Sequence, residues 1–377
     1  MVLNFIGKKM VTSNLTIAPK PAVEVNNLAK HYGDVVALRS VDLTINAGEY
    51  FVLLGPSGGG KTTLLRTIGG FHKPTSGTVK LHGRDVGHLP PDKRPTSMVF
   101  QSYALFPHMS VLGNVGYGLS ISGLGKKDVL DKSMSMLDVV GLQGYENRKP
   151  HELSGGQQQR VQLARALVLD RDILLLDEPL AALDAQLRKD MCLELKHLQE
   201  KVGITFIHVT HNQEEAMTVA DRIALIADGD LIEAGAAREI YCAPEKRFTA
   251  SFVGENNMLR GVVQKTDKAT TEISLGGDII STLTRNLKVK KGDDATLSIR
   301  SELVKIARSK GPKLKHSLDA TYSESVYLGL TTTHLFKLGT GETMMARTIA
   351  DSDERALKAG EKVRLTWRDG DLRLHQS

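Results

Sequence analysis

The chain has 377 residues, 41% hydrophobic, 24% charged and 5% aromatic, an ordinary globular composition with length for two domains, which excludes collagenous and disordered classes. Two cysteines, Cys192 and Cys242, cannot staple a fold; with no second Cys or His at ligand spacing, they read as reduced thiols of a cytosolic protein. The net charge is +6, but residues 1–239 balance 26 Lys and Arg against 26 Asp and Glu, so the excess, 23 against 17, lies in residues 240–377. Such an excess suits nucleic acid, a membrane surface or an anionic ligand, and most simply a solvated basic surface.

In chain order, residues 1–20 read as a flexible leader. The opening MVLNFIGKKM places its lysines after a short apolar stretch and lacks a small-residue cleavage site, so it fails as a signal peptide. No apolar run reaches the ~18 residues that a membrane-spanning helix needs. Tyr50–Leu54 predicts a strand, Gly55–Gly60 a glycine loop and Lys61–Ile68 a helix. Between Met109 and Lys149 the strand signals fade, while Val129, Leu130, Met134, Leu137 and Val140 recur at near-helical spacing, so a helical subdomain is expected at about 102–155. Val161–Leu169 then reads as a helix, Ile173–Leu176 as a buried strand, Met191–Val202 as a helix and Ile204–Val209 as a strand. Buried apolar strands alternating with helices predict a parallel α/β sheet, in a domain spanning 21–245.

From residue 246 onward the pattern changes. Leu259–Gln264, Ala295–Ile299, Ala320–Leu328, Thr331–Leu338 and Val363–Trp367 are short, β-prone and separated by glycine-rich turns. They predict a small all-β barrel or sandwich over 246–377, with Phe248–Glu255 as the hinge. Tyr322, Tyr327, Phe336 and Trp367 fall within these runs and not among the basic clusters Lys288–Lys291 and Lys310–Lys315, so core packing is expected of them.

The chemistry starts at Gly55-Pro-Ser57-Gly58-Gly59-Gly60-Lys61-Thr62, which matches G-x-x-x-x-G-K-[ST] between a strand and a helix. Glycines let the backbone wrap an anion with its N–H groups inward, and the helix N-terminus adds a favourable dipole. Lys61 would reach the β- and γ-phosphates, and the Thr62 hydroxyl would ligate Mg²⁺. Asp177 and Glu178 close an apolar strand, where ligands bind in open α/β sheets. Asp177 suits the Mg²⁺ partner and Glu178 the base that polarises an attacking water. Leu153-Ser154-Gly155-Gly156-Gln157 places a serine and two glycines at a helix start, a second anion-binding nest.

With these residues the chain resembles the ATP-binding-cassette (ABC) ATPases, specifically the energising subunits of bacterial importers. Gly55–Thr63 resembles the Walker A loop, Leu153–Gln157 the signature and Ile173–Glu178 the Walker B strand. Gln101 in VFQSYALFPHMSV resembles the Q-loop glutamine, His211 in VTHNQEEAM the switch histidine, Tyr32 the aromatic residue that stacks on adenine, and Leu183-Asp184 the D-loop. Three positions depart from the family pattern: Gly59 where Cys is frequent, Thr62 where Ser is commoner, and Ala181 where the D-loop often has Ser. The resemblance implies a P-loop ABC ATPase domain followed by an OB-like β-domain. It also implies ATP held by Tyr32, Gly55, Ser57–Thr63, Gln101, Asp177 and the signature residues Ser154–Gln157. Mg²⁺ would sit on Thr62, Gln101 and Asp177, with catalysis by Glu178, His211 and Lys61.

The implied partners are a second copy of the chain, two integral membrane permease subunits and, indirectly, a periplasmic solute-binding protein; nucleic acid is not among them. The implied location is peripheral, on the cytoplasmic face of the inner membrane. Phe252-Val-Gly-Glu255-Asn-Asn257 and Ser298-Ile-Arg-Ser-Glu302 resemble segments of the OB-like domain of spermidine/putrescine, iron and sugar importers, with Ser301 replacing Pro. A polyamine is the expected cargo, with iron(III) and sugar or glycerol-phosphate as competitors. A soluble cassette ATPase acting on nucleic acid, or a regulator, is the alternative of another class; neither a long coiled-coil insertion nor a second cassette is present to support it.

Overall fold

The first forty-six residues hold an antiparallel hairpin, β1 (Pro21–Tyr32) and β2 (Val35–Asn46), absent from the elements expected above: Val41–Ile45 of β2 alternates buried and exposed, but β1 does not keep that alternation. The reason is local: register shifts between Val25 and Leu28 and between Leu28 and Lys30, with Asn27 at φ 46°, break the period-two pattern. This computed structural model describes residues 20–102, 104–285, 287–308, 316–350 and 357–376; the expected leader apart from Lys20, and the cluster Lys310–Lys315, lie outside the described residues.

Strand β3 (Tyr50–Leu54) leads into α1 (Lys61–Ile68), then β4 (Ser76–Leu81), β5 (Arg84–Asp85) and β6 (Thr96–Val99). Helices α2 (Val111–Ile121), α3 (Lys126–Val139) and α4 (Gly155–Leu167) precede β7 (Ile173–Asp177), α5 (Ala185–Val202), β8 (Thr205–Thr210), α6 (Gln213–Val219), β9 (Arg222–Ala227), β10 (Asp230–Ala236), α7 (Ala237–Cys242) and α8 (Arg247–Phe252). Among the described residues these strands form an antiparallel sheet, β2-β1-β4-β5, and a central sheet, β10-β9-β3-β8-β7-β6. In the central sheet β9, β3, β8, β7 and β6 are parallel, and only β10 runs antiparallel.

Strand β3 is apolar throughout because both its faces are covered. Phe51 and Leu53 join the core against the antiparallel sheet and α1, while Tyr50, Val52 and Leu54 join the core against α4–α7. Strand β7 divides in the same way, Ile173 and Leu175 to one side, Leu174 and Leu176 to the other.

Two helices begin six residues before their apolar periodicity does. The run GGQQQR opens α4 because Ser154 caps it: its Oγ accepts from the Gln157 N–H at 3.4 Å, and Gln157 Oε1 accepts from the Ser154 N–H at 3.0 Å. Asp184 caps α5, accepting from the Leu187 N–H at 3.0 Å. The helical insertion packs a core of its own through Val111, Val115, Leu137, Leu142 and Val161. Leu137 and Val140 are buried as the spacing predicts; Leu130 and Met134 are exposed, so the stripe is narrower than the sequence suggests.

The segment expected as a hinge is largely the short helix α8. Beyond it come β11 (Asn256–Thr266), β12 (Thr270–Leu275), β13 (Asp278–Leu283), β14 (Asp294–Arg300), β15 (Lys305–Arg308), β16 (Ser317–Tyr327), β17 (Thr331–Leu338), β18 (Thr343–Ile349), β19 (Lys362–Thr366) and β20 (Arg373–Gln376). They form two antiparallel sheets, β13-β12-β11-β14-β20 and β15-β19-β16-β17-β18, which share one core containing Leu259, Ile273, Leu297, Phe336 and Leu365. Tyr322, Phe336 and Trp367 are buried there, but Tyr327 is 72% exposed and does not pack in the core. It ends β16 at the tip of the hairpin with β17, where no second sheet among the described residues covers it.

Candidate active site

The topology brings four loops to one edge of the central sheet. The phosphate loop follows β3, His211 follows β8, Asp177 ends β7 with Glu178 next, and Gln101 follows β6. Strands β3, β8, β7 and β6 are consecutive parallel neighbours, so their carboxyl ends open on the same side.

The phosphate loop needs glycine for space as well as for torsion. A Cβ on Gly55, which has φ +152°, would lie 1.9 Å from the Ile226 carbonyl oxygen of β9. Gly60, at φ +104°, caps α1, and a Cβ there would lie 2.6 Å from the Ala37 carbonyl oxygen of β2. The departure at Gly59 has a counterpart in space, since a Cβ would come within 2.9 Å of Ile226 O. Gly59 N–H closes a turn on Pro56 O at 3.2 Å, while Ser57 and Gly58 form the exposed crest.

Lys61 is buried and donates from Nζ to the carbonyls of Gly55 (2.9 Å) and Pro56 (2.8 Å), folding over the mouth of its own loop. Burial lowers its pKa, and the charges of Glu178 and Asp177 oppose that shift. Thr62 Oγ1 donates to Asp177 Oδ1 at 2.9 Å, and Arg66 Nη2 donates to Asp177 Oδ2 at 3.1 Å. Thr63 gives its carbonyl to the Thr67 hydroxyl at 2.7 Å, so its role there is helical.

Glu178 occupies the left-handed region at φ 46°, uncommon for a side chain of this kind, with its N–H tied to Val209 O at 3.1 Å. Its Oε2 is 3.4 Å from His211 Nδ1 and accepts from Gln101 Nε2 at 3.5 Å. Gln101 thus meets Glu178 through its amide nitrogen, and its carbonyl oxygen, the metal-ligating kind of atom, is not the one engaged there. The donors around Thr62 and Asp177 are a hydroxyl and a carboxylate beside a phosphate loop. That oxygen set fits Mg²⁺, which takes few protein ligands and draws the rest from phosphates and water.

Two expected groups make no hydrogen bond to this cluster among the described residues. Tyr32 ends β1, 44% exposed, edge-on to His72 with ring centroids 5.6 Å apart and under Lys30 Nζ at 4.7 Å. Its hairpin partner β2 supplies the Ala37 that crowds Gly60. Ser154–Gln157 bond among themselves and, from Gln157 Nε2, to Tyr145 OH at 3.2 Å; among the described residues no hydrogen bond joins them to the phosphate loop of the same chain. Helix geometry leaves the first-turn N–H groups of Gly155 and Gly156 without intrahelical acceptors.

Sequence reasoning missed four charged or polar contributors, Arg66, Arg188, Glu215 and His208. Arg66 lies four residues after Thr62 on α1, so both reach Asp177, and that i, i+4 spacing was a usable signal. Behind His211, a small cavity is lined by Glu178, Ala181, Arg188, Thr210, Asn212 and Glu215. Glu215 accepts from Thr210 Oγ1 at 2.6 Å, and Arg188 Nε lies 3.5 Å from it; burial raises the Glu215 pKa, with these partners opposing. His208, wholly buried, meets Tyr50 OH at 3.1 Å, and burial lowers its pKa to about 3, so it is neutral. No local pattern marks Glu215 and His208, because they meet only when β8 and α6 pack.

The ABC transporter family profile matches residues 38–181 and the TOBE domain profile residues 297–374. The chain is 45% identical over 327 residues to the "Spermidine/putrescine import ATP-binding protein PotA" of Roseobacter denitrificans, covering 87% of this chain and 90% of the relative. The protein of the same name from Mesorhizobium japonicum is 46% identical over 333 residues, covering 86% and 89%. Among solved structures, the ATP-binding cassette MJ0796, a dimer in a post-hydrolysis state with ADP and Pi, is 33% identical at TM-score 0.51. It covers 57% of this chain and 99% of that one. CbiO1 of Clostridium perfringens, part of an ABC transporter complex, is 28% identical at TM-score 0.55, covering 59% and 90%. The chain therefore belongs to the ABC transporter family, as an ATP-hydrolysing transport ATPase whose cassette is followed by a TOBE domain.

Proposed function

We propose that two copies of this chain bind ATP between the phosphate loop of one and the signature turn of the other, and that its hydrolysis drives polyamine import through membrane permease subunits. The observation that carries the chemistry is the convergence of His211 and Gln101 on the Glu178 carboxylate, on the sheet edge that also holds Lys61 and the Thr62–Asp177 pair. Water attacks the γ-phosphorus as its proton passes to Glu178; the bond from γ-phosphorus to the bridging oxygen breaks, and ADP leaves. His211 holds the water and the γ-phosphate in line. Lys61 leaves its own loop carbonyls to meet the phosphates. Tyr32 stacks on adenine, and Gly55 and Ser57–Thr63 wrap the phosphates. From the opposing copy, Ser154, Gly155, Gly156 and Gln157 close on the γ-phosphate. Mg²⁺ would be held by Thr62, Asp177 and Gln101, and when bound it neutralises phosphate charge.

The composite arrangement is supported by the single phosphate loop and single signature per chain, and by the absence, among the described residues, of a hydrogen bond between the two. No helix among the described residues is long and apolar enough to cross a membrane. That accords with a peripheral subunit on the cytoplasmic face of the inner membrane, docked on two permeases that receive cargo from a periplasmic binding protein. The cargo rests on relatives such as those of Roseobacter denitrificans, Mesorhizobium japonicum and Nitrosomonas eutropha, 40–46% identical over 86–92% of this chain and named for spermidine/putrescine import.

Uptake of labelled putrescine and spermidine, measured beside iron(III) and sugar uptake in cells lacking this subunit, tests the cargo. Loss of high-affinity polyamine uptake is expected, restored by the wild-type chain and not by Lys61→Ala. Normal polyamine uptake with loss of another solute, in a strain without a second polyamine importer, would reject the cargo and keep the motor.

A further inference from the structure

Two residues beyond His211, a side chain reaches out of the cassette. Gln213, the first residue of α6, donates from Nε2 to the Phe252 carbonyl at 2.5 Å and accepts at Oε1 from the Gly254 N–H at 2.7 Å. Both ends of one carboxamide are thus spent on a three-residue stretch of backbone, and that stretch joins α8 to β11, where the β-domain begins. The residue between them is held from the other side. Arg300, at the end of β14 and 5% exposed, donates to the Val253 carbonyl and to the Tyr241 carbonyl. Its guanidinium also lies 4.1 Å over the Tyr241 ring, and Tyr241 OH donates to Glu302 Oε1 at 2.8 Å.

The stretch has no slack. Gly254 sits at φ +65°, and a Cβ there would lie 2.4 Å from Arg300 Nη1 and 2.8 Å from Tyr241 Cε2. At the other end of the clamp, Asn212 caps α6 by accepting from the N–H groups of Glu214 (2.8 Å) and Glu215 (3.1 Å), which fixes the turn between His211 and Gln213. The β-domain is braced nearby a second time, with His375 Nδ1 3.2 Å from the Glu245 carbonyl. A continuous path of named contacts therefore runs from the Glu178–His211 pair through Asn212 and Gln213 to the linker backbone and on to Arg300.

We propose that Gln213 is a positioning residue that ties the His211 turn to the β-domain through the backbone at Phe252–Gly254, so that the seating of that domain sets how His211 meets Glu178. The proposal rests on the cassette-ATPase reading. It differs from simple adhesion between domains in what it demands: release of the clamp should misplace the group that orients the reacting water while leaving the phosphate loop, and so ATP affinity, intact.

The test compares full-length wild type with Gln213→Ala, Gln213→Glu, Arg300→Gln and the double variant Gln213→Ala/Arg300→Gln. ATPase kcat and KM, ATP affinity by calorimetry and melting temperature are measured for each. Gln213→Ala is expected to lower kcat roughly 3- to 30-fold, with ATP affinity within about twofold of wild type and melting temperature within about 3 °C. Arg300→Gln should lower kcat in the same way, and the double variant should be no worse than the more affected single variant, since both cut one path. Gln213→Glu keeps the acceptor for Gly254 N–H, loses the donor to Phe252 O, and is nearly isosteric; its kcat should fall too, and it decides the matter if the alanine variant does not fold. The proposal is overturned if kcat stays within twofold of wild type, if affinity and melting temperature fall in step with kcat, or if the two substitutions multiply. Absent ATPase in the wild type would instead overturn the cassette reading. Full activity in Gln213→Ala beside an inactive Glu178→Gln control would overturn the linker proposal alone.

Discussion

Glu178→Gln is expected to lower steady-state ATP turnover by about 10²- to 10⁴-fold while ATP still binds and a stable ATP-loaded dimer accumulates. The amide keeps the size of the side chain and can still hydrogen-bond to His211 and Gln101, which meet Oε2 at 3.4 and 3.5 Å. It cannot take the water's proton. The strained backbone at Glu178, φ 46° with its N–H on Val209 O, is unaltered by the exchange, so the variant should fold as the parent does. Gel filtration with ATP and Mg²⁺ beside a phosphate-release assay reads both halves. Turnover near the parental rate would remove Glu178 from the role of base.

Lys61→Ala acts one step earlier. The ammonium is buried and leans on Gly55 O and Pro56 O, a site where burial lowers its pKa and which a phosphate chain would fill with opposite charge. A charge-assisted hydrogen bond of this kind is worth about 1.5–3 kcal/mol, so ATP affinity should fall about 10- to 100-fold by calorimetry. The loop itself should persist, because Gly55 and Gly60 are shaped by the backbones of β9 and β2 and not by the lysine. Unchanged affinity would contradict the phosphate-loop reading.

What was legible in the sequence follows from which constraints are local. The phosphate loop is legible because Gly55 and Gly60 stand where neighbouring backbone leaves no room for a Cβ, so the pattern records geometry directly. Strands β3 and β7 are legible because burial on both faces demands unbroken apolar runs. Strand β1 was hidden by bulges, and the start of α4 by a first turn of glycine and glutamine that Ser154 caps. Tyr327 was misread because an aromatic in a β-patterned run says nothing of whether a second sheet covers it. Glu215 gains its significance from Arg188 on α5, and Gln213 from a partner 41 residues away, on elements that meet only in the fold. The same holds for Ser154: its motif is visible, but that no hydrogen bond among the described residues joins it to its own phosphate loop is a property of the tertiary structure.

The central claim is that ATP is held between the phosphate loop of one copy and the signature of another. It is tested most directly by mixing differently tagged Lys61→Ala and Ser154→Arg chains, both carrying Glu178→Gln, and counting labelled ATP retained on dimers purified through both tags. A shared site predicts about one nucleotide per heterodimer, because one loop and one opposing signature remain intact. Retention no greater than in either parent would mean that each site lies within a single chain, and would contradict the account.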